Sequence, residues 1–145
     1  MIEIAVIVGP NMNLLGKREP EKYGSVTLAE IEANLHRRAE GRATVLFRQS
    51  NAEADLIDWI QEAGLKRQPI ILHAGAYTHT SVALRDAILG SDAQVVEVGL
   101  TNVHGREAFR QQTFIKGVCV GSIGGFGAFS YELALEAAIW LAHRT

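Results

Sequence analysis

Tyr23 and Arg18 stand five positions apart in a short charged stretch, Lys17-Arg18-Glu19-Pro20-Glu21-Lys22-Tyr23-Gly24. A phenol of pKa ~10 serves as a base near neutrality only when a cation stabilises its phenolate. The two residues together could therefore form a proton-abstracting base. A loop carrying both could close over a substrate and exclude water. Read without that partner, the same stretch is simply a solvated, proline-stiffened loop.

Histidines are the second signal. There are five, and His73, His79 and His104 each follow an apolar run. Three histidines at one edge of a sheet would mark a polar site. A metal would need these separate segments to converge, because no His-Glu-x-x-His pair is present, and none is expected. Gly125-Phe126-Gly127 looks like a fragment of a dinucleotide-binding turn, but that turn belongs after the first strand, with an acid about 20 residues on. Here it follows the last apolar run, so the glycines read as tight packing or close backbone approach. The first loop, residues 9–16, lacks a hydroxyl-rich phosphate cradle, which argues against a flavin.

These residues need a frame. Short apolar runs at 2–8, 43–47, 69–72, 94–98 and 117–120 alternate with longer segments of helical period. That rhythm predicts an α/β fold with a parallel sheet and helices on both faces. For five strands the flavodoxin-like order 2-1-3-4-5 leads, with ligands beyond the carboxyl ends of the strands. The loops at 9–24, 73–80, 99–110 and 121–127 would then line the site. Thr27 and Glu30 form a capping box for a helix over 28–40 stopped by Gly41. Ser50 and Glu53 open another over 52–63, stopped by Gly64. Thr80 caps a third over 81–89, stopped by Gly90, and a fourth spans 130–143. The segment 103–112 has room for a short helical turn. Trp59 and Trp140 are expected to face the sheet, and Cys119 to be a buried strand residue rather than a reactive thiol.

Composition narrows the function classes. With 145 residues, 48% hydrophobic and 21% charged, the chain has the size of one globular domain and needs no staple. A net charge of −2, with ten arginines and four lysines scattered along the chain, offers no field for nucleic acid. The opening Met1-Ile2-Glu3-Ile4 has no positive flank and an early acid, unlike a signal peptide. No run reaches the ~18 apolar residues of a membrane span. A cytoplasmic location is expected.

Several motifs now line up in order. Gly9-Pro10-Asn11-Met12-Asn13-Leu14-Leu15-Gly16-Lys17-Arg18-Glu19-Pro20 with Tyr23-Gly24 resembles the opening signature of the type II 3-dehydroquinate dehydratases. Gln49-Ser50-Asn51, Gly75-Ala76-Tyr77-Thr78-His79-Thr80-Ser81 with Arg85-Asp86, and Asn102-Val103-His104 with Arg106-Glu107 and Phe109-Arg110 continue it. The resemblance covers almost the whole chain. It implies a flavodoxin-like subunit, a homododecamer built from trimers, no cofactor and no Schiff-base lysine. The implied reaction is dehydration of 3-dehydroquinate, a small cyclic polyhydroxy acid, through an enolate. In that reading Tyr23 is the base, Arg18 lowers its pKa, and Asn11 helps hold the enolate. Leu100, Thr101 and Asn102 receive the carboxylate, His79 and Arg110 hold ring hydroxyls, and Asp86 reaches a neighbouring subunit's site.

Two positions depart from the family pattern. The general acid histidine is replaced by Gly99, and a substrate-contacting asparagine by His73. Thr101 stands for the usual serine and keeps the hydroxyl. Strand ends 73 and 99 would be neighbours about 4.8 Å apart, which suggests that the His73 imidazole fills the space at Gly99 and supplies the acid or a polar contact. The alternative is a repurposed site, either a lyase for a related cyclic acid or a silent binding paralogue.

Overall fold

The computed structural model describes residues 1–17, 21, 25–101, 107–110 and 112–144. The first apolar run becomes strand β1 (Ile2–Val8), and from Ile4 to Val8 every residue is fully buried. A parallel strand covered on both faces requires such continuous apolar sequence. It is joined by β2 (Ala43–Gln49), β3 (Ile70–His73), β4 (Val95–Val98) and β5 (Gly121–Ile123). The order is β2-β1-β3-β4-β5, with every pairing parallel, as the alternating rhythm predicted.

Alternation divides the core. Val6, Val8, Ile71, Val96 and Val98 point to one face, which is covered by α1 (Leu28–Ala39) and α4 (Phe129–Ala142). Ala5, Ile7, Ile70, Leu72 and Val95 point to the other, under α2 (Glu53–Leu65) and α3 (Val82–Gly90). Among the described residues no helix is long and apolar enough to cross a membrane.

The predicted start of α1 is realised: the Thr27 hydroxyl accepts from the Glu30 N–H at 3.2 Å, and Gly41 follows the helix at φ +77°. Other signals resolve differently. Ser50 accepts from the Ala52 N–H at 3.0 Å and donates to Asp55 at 2.6 Å, while Glu53 turns away to accept from Ser81. Gly64 lies inside α2 rather than ending it, and its glycine answers a packing need, because a Cβ there would sit 2.5 Å from the Ser91 hydroxyl oxygen. The cap of α3 is Ser81, not Thr80, since the Ser81 hydroxyl accepts from the Leu84 N–H at 3.0 Å. Gly90 is the last residue of α3 rather than its stop.

The fifth strand is also displaced. The run 117–120 overlaps a 3-10 turn at Lys116–Val118, and Val118 and Cys119 are apolar because they pack over the α2/α3 core as a loop. The strand itself is Gly121-Ser122-Ile123, paired with Val96-Glu97-Val98. Trp59 packs against the core, with the Arg48 guanidinium 5.0 Å from its ring centroid. Trp140 does not face the sheet: it is 59% exposed and carries Arg144 at 4.8 Å. The short turn expected within 103–112 is a 3-10 turn at Ala108–Arg110.

Candidate active site

The carboxyl ends of β1 and β3 are pressed together. The Gly9 N–H donates to the His73 carbonyl at 2.7 Å, and a Cβ at Gly9 would lie 2.6 Å from the Ala74 carbonyl oxygen. Only glycine permits that approach. Asn11 then takes the left-handed conformation at φ 69°, which asparagine tolerates better than most residues. Its N–H donates to Asn51 Oδ1 at 2.9 Å. Gln49 Nε2 donates to the same oxygen at 3.2 Å and to the Gly9 carbonyl at 3.1 Å, and the Tyr77 hydroxyl donates to the Asn51 carbonyl at 2.8 Å. Gln49 and Asn51 therefore brace the loop that presents Asn11.

His73 ends β3. Its Nδ1 lies 2.5 Å from the Tyr131 hydroxyl of α4, with the rings tilted at 59°. Tyr131 is fully buried and His73 is 9% exposed. Burial pushes the imidazole down to about 4 and the phenol upward, because a low-dielectric surrounding disfavours both charged forms.

The sheet register answers whether this ring fills the space at Gly99. Leu72 pairs with Glu97, so position 73 is level with 98 and shares its face. The ladder continues through the Gly99 N–H to the Ile123 carbonyl at 2.9 Å, so residue 99 faces the opposite way, with Glu97. Among the described residues no heavy atom lies within 4 Å of a Cβ built at Gly99. The expected refilling of that space by His73 is thus corrected: the imidazole is turned to the α1/α4 face.

Glu97 is a lone acid within Val95-Val96-Glu97-Val98, and an acid inside a buried strand is itself a signal of a polar role. It is 9% exposed and organises the neighbouring loops through hydroxyls. Thr113 Oγ1 accepts from the N–H groups of Ile115 and Lys116, at 3.1 and 3.2 Å. Its own hydrogen therefore goes to Thr78 Oγ1 at 2.8 Å. Thr78 in turn donates to Glu97 Oε2 at 3.1 Å, and Ser122 donates to Oε1 at 2.8 Å. Next to Thr78, His79 Nδ1 donates to the Gln112 carbonyl at 2.5 Å, which in the neutral ring leaves Nε2 as an acceptor.

The remaining described residues sit on the adjoining loops. Leu100 is buried, and its carbonyl accepts from the Gly127 N–H at 2.9 Å. Thr101 is half-buried. Arg110 Nε lies 2.7 Å from Glu107 Oε2 as an ion pair, in a geometry that makes no hydrogen bond at that nitrogen. Asp86 is exposed on α3. Gly125 and Gly127 adopt φ 96° and 58°. A Cβ at Gly127 would touch nothing within 4 Å among the described residues, so that glycine serves backbone conformation rather than close packing. Arg18, Tyr23, Asn102 and His104 lie outside the described residues. Among the described residues no three His, Cys, Asp or Glu side chains group as metal ligands.

A family model described as Dehydroquinase class II matches residues 2–139. A 3-dehydroquinate dehydratase of Exiguobacterium sp. is 51% identical over 138 residues, covering 95% of this chain and 94% of the relative. Its counterpart in Brucella canis is 50% identical over 140 residues, covering 96% and 89%. The crystal structure of a type II dehydroquinase from Propionibacterium acnes superposes with a TM-score of 0.91 at 34% identity, covering 98% of this chain and 97% of that one. Sheet order, motif register and similarity across nearly the full length agree, and the chain belongs to the class II dehydroquinase family.

Proposed function

We propose that this protein dehydrates 3-dehydroquinate to 3-dehydroshikimate. The observation that carries the reading is the gathering of family-motif residues Asn11, His79, Thr101 and Arg110 on loops at one carboxyl edge of the sheet. Ring hydroxyls and a carboxylate suit that set of groups. Tyr23, with Arg18 holding its phenolate, removes a proton beside the ketone, and Asn11 helps hold the resulting enolate. The enolate expels hydroxide from the β-carbon and forms the conjugated enone. Thr101 and the backbone from Leu100 to Asn102 receive the carboxylate, while His79 and Arg110 hold ring hydroxyls. Position 99 has no side chain to protonate the departing hydroxide, so solvent supplies that proton. The reaction then runs without metal or cofactor, at a rate lowered by the missing acid.

The enzyme works in the cytoplasm as a homododecamer of trimers, in aromatic biosynthesis or quinate breakdown. Asp86, exposed on α3, reaches across to a neighbour's site. That no described atom lies within 4 Å of a Cβ at Gly99 also favours a second reading, a lyase for a related cyclic acid bearing a bulkier substituent there.

The test is to mix purified protein with 3-dehydroquinate and follow the enone by ultraviolet absorbance. Turnover that falls at least about 10²-fold in Tyr23→Phe supports the reading. Binding of 3-dehydroquinate without product points to a silent paralogue, and no binding sinks the proposal.

A further inference from the structure

His73 and Tyr131 form a pair that the dehydration chemistry leaves unused. Hydrogen-bond accounting sets the direction of their contact. Tyr131 is fully buried, and His73 Nδ1 is the partner of its hydroxyl among the described residues. If Nδ1 carried the hydrogen and donated to the phenol oxygen, the phenol O–H would be left buried without an acceptor. That omission costs about 1–3 kcal/mol. If the phenol donates, both groups are satisfied, and the neutral ring's hydrogen lies on Nε2. Burial keeps the ring neutral at ordinary pH.

The far nitrogen has no hydrogen-bond partner among the described residues, and 9% of the His73 surface remains exposed. Position 73 ends β3 beside the Gly9 to Asn11 loop, at the edge where the ring acid is placed.

We propose that Tyr131 is a positioning residue whose hydroxyl donates to His73 Nδ1, fixing the Nε2–H tautomer so that position 73 offers a permanent hydrogen-bond donor to an oxygen of the bound ring acid. A carbonyl, enolate, hydroxyl or carboxylate oxygen satisfies that donor. A substrate presenting only a donor there is rejected. The imidazole orients the substrate and does not replace the acid missing at position 99. The tautomer assignment stands on the buried pair alone, whereas the ligand assignment rests on the dehydratase reading.

The experiment uses intact protein labelled with ¹⁵N at its five histidines, with the His73 signals assigned by their loss in His73→Gln. Two-bond ¹H–¹⁵N correlations should show Nδ1 as an unprotonated, hydrogen-bonded nitrogen and Nε2 as protonated, unchanged from pH 6 to 8. In Tyr131→Phe, Nδ1 should shift to the free-acceptor position or the ring should mix tautomers. KM for 3-dehydroquinate should rise about 3- to 10-fold, the scale of one weakened hydrogen bond, while kcat stays within about twofold. An Nδ1–H pattern in the parent overturns the proposal, as does a folded Tyr131→Phe protein with parental shifts and KM. A parent that shows the Nε2–H pattern but never converts 3-dehydroquinate removes the dehydratase reading and leaves the positioning role of Tyr131 standing.

Discussion

Replacing His73 with glutamine should flatten the acid side of the stability curve. The folded imidazole titrates at about 4 because burial disfavours its cation, against an unfolded value near 6.5. Below about pH 6.5 the unfolded chain takes up a proton that the folded protein refuses, so stability falls with pH and levels off below about 4. Each pKa unit corresponds to about 1.4 kcal/mol. This one group then costs the parent about 2.5 kcal/mol between pH 8 and pH 4.5. Carboxylates titrate alike in both proteins and cancel from the comparison. Urea unfolding followed by the fluorescence of Trp59 and Trp140, at pH 8 and pH 4.5 and at one protein concentration, gives the two free energies. The variant's loss on acidification should be smaller than the parent's by about 2.5 kcal/mol. A difference under about 0.5 kcal/mol would show that the ring accepts its proton in place, and the argument from burial would fail.

Other substitutions probe the same edge. Gly99→His places an imidazole where no described atom lies within 4 Å of the Cβ, and turnover of 3-dehydroquinate should rise by about 10²- to 10⁴-fold; an unchanged rate in the absorbance assay would show that protonation of the leaving hydroxide is not limiting. Gly9→Ala brings a methyl to 2.6 Å from the Ala74 carbonyl, which should lower stability by about 1–3 kcal/mol in urea unfolding and raise KM as the Asn11 loop is displaced. Burial, and secondarily the charge of Glu97, pushes the Cys119 thiol up to about 12. Alkylation by iodoacetamide at pH 8 should therefore be roughly 10³-fold slower than for a free cysteine, with full labelling in urea.

The sheet was legible because continuous apolar strands and amphipathic helices are local patterns. The cap at Thr27 was legible for the same reason, since its partner Glu30 is three residues away. The misplacements have one cause. Ser81 outcompetes Thr80 as a cap because it also meets Glu53 from α2, a contact across 28 positions. Gly64 reads as a stop until Ser91 is packed against it. The run 117–120 is as apolar as a strand because it covers a helix layer, while the true edge strand, paired on one side, needs little hydrophobic sequence.

The order of motifs along the chain determined the family, and the alternation of apolar runs with helical segments determined the parallel sheet and the edge on which the site lies, since all of these depend on residue type and near-neighbour spacing. Which way His73 points depended on strand register, and register is set by the packing of both sheet faces together. A shift of one position would have put the imidazole beside Glu97 and the space at Gly99. The three-dimensional pairing of Leu72 with Glu97 put it against Tyr131 instead, joining groups 58 positions apart that no local pattern connects.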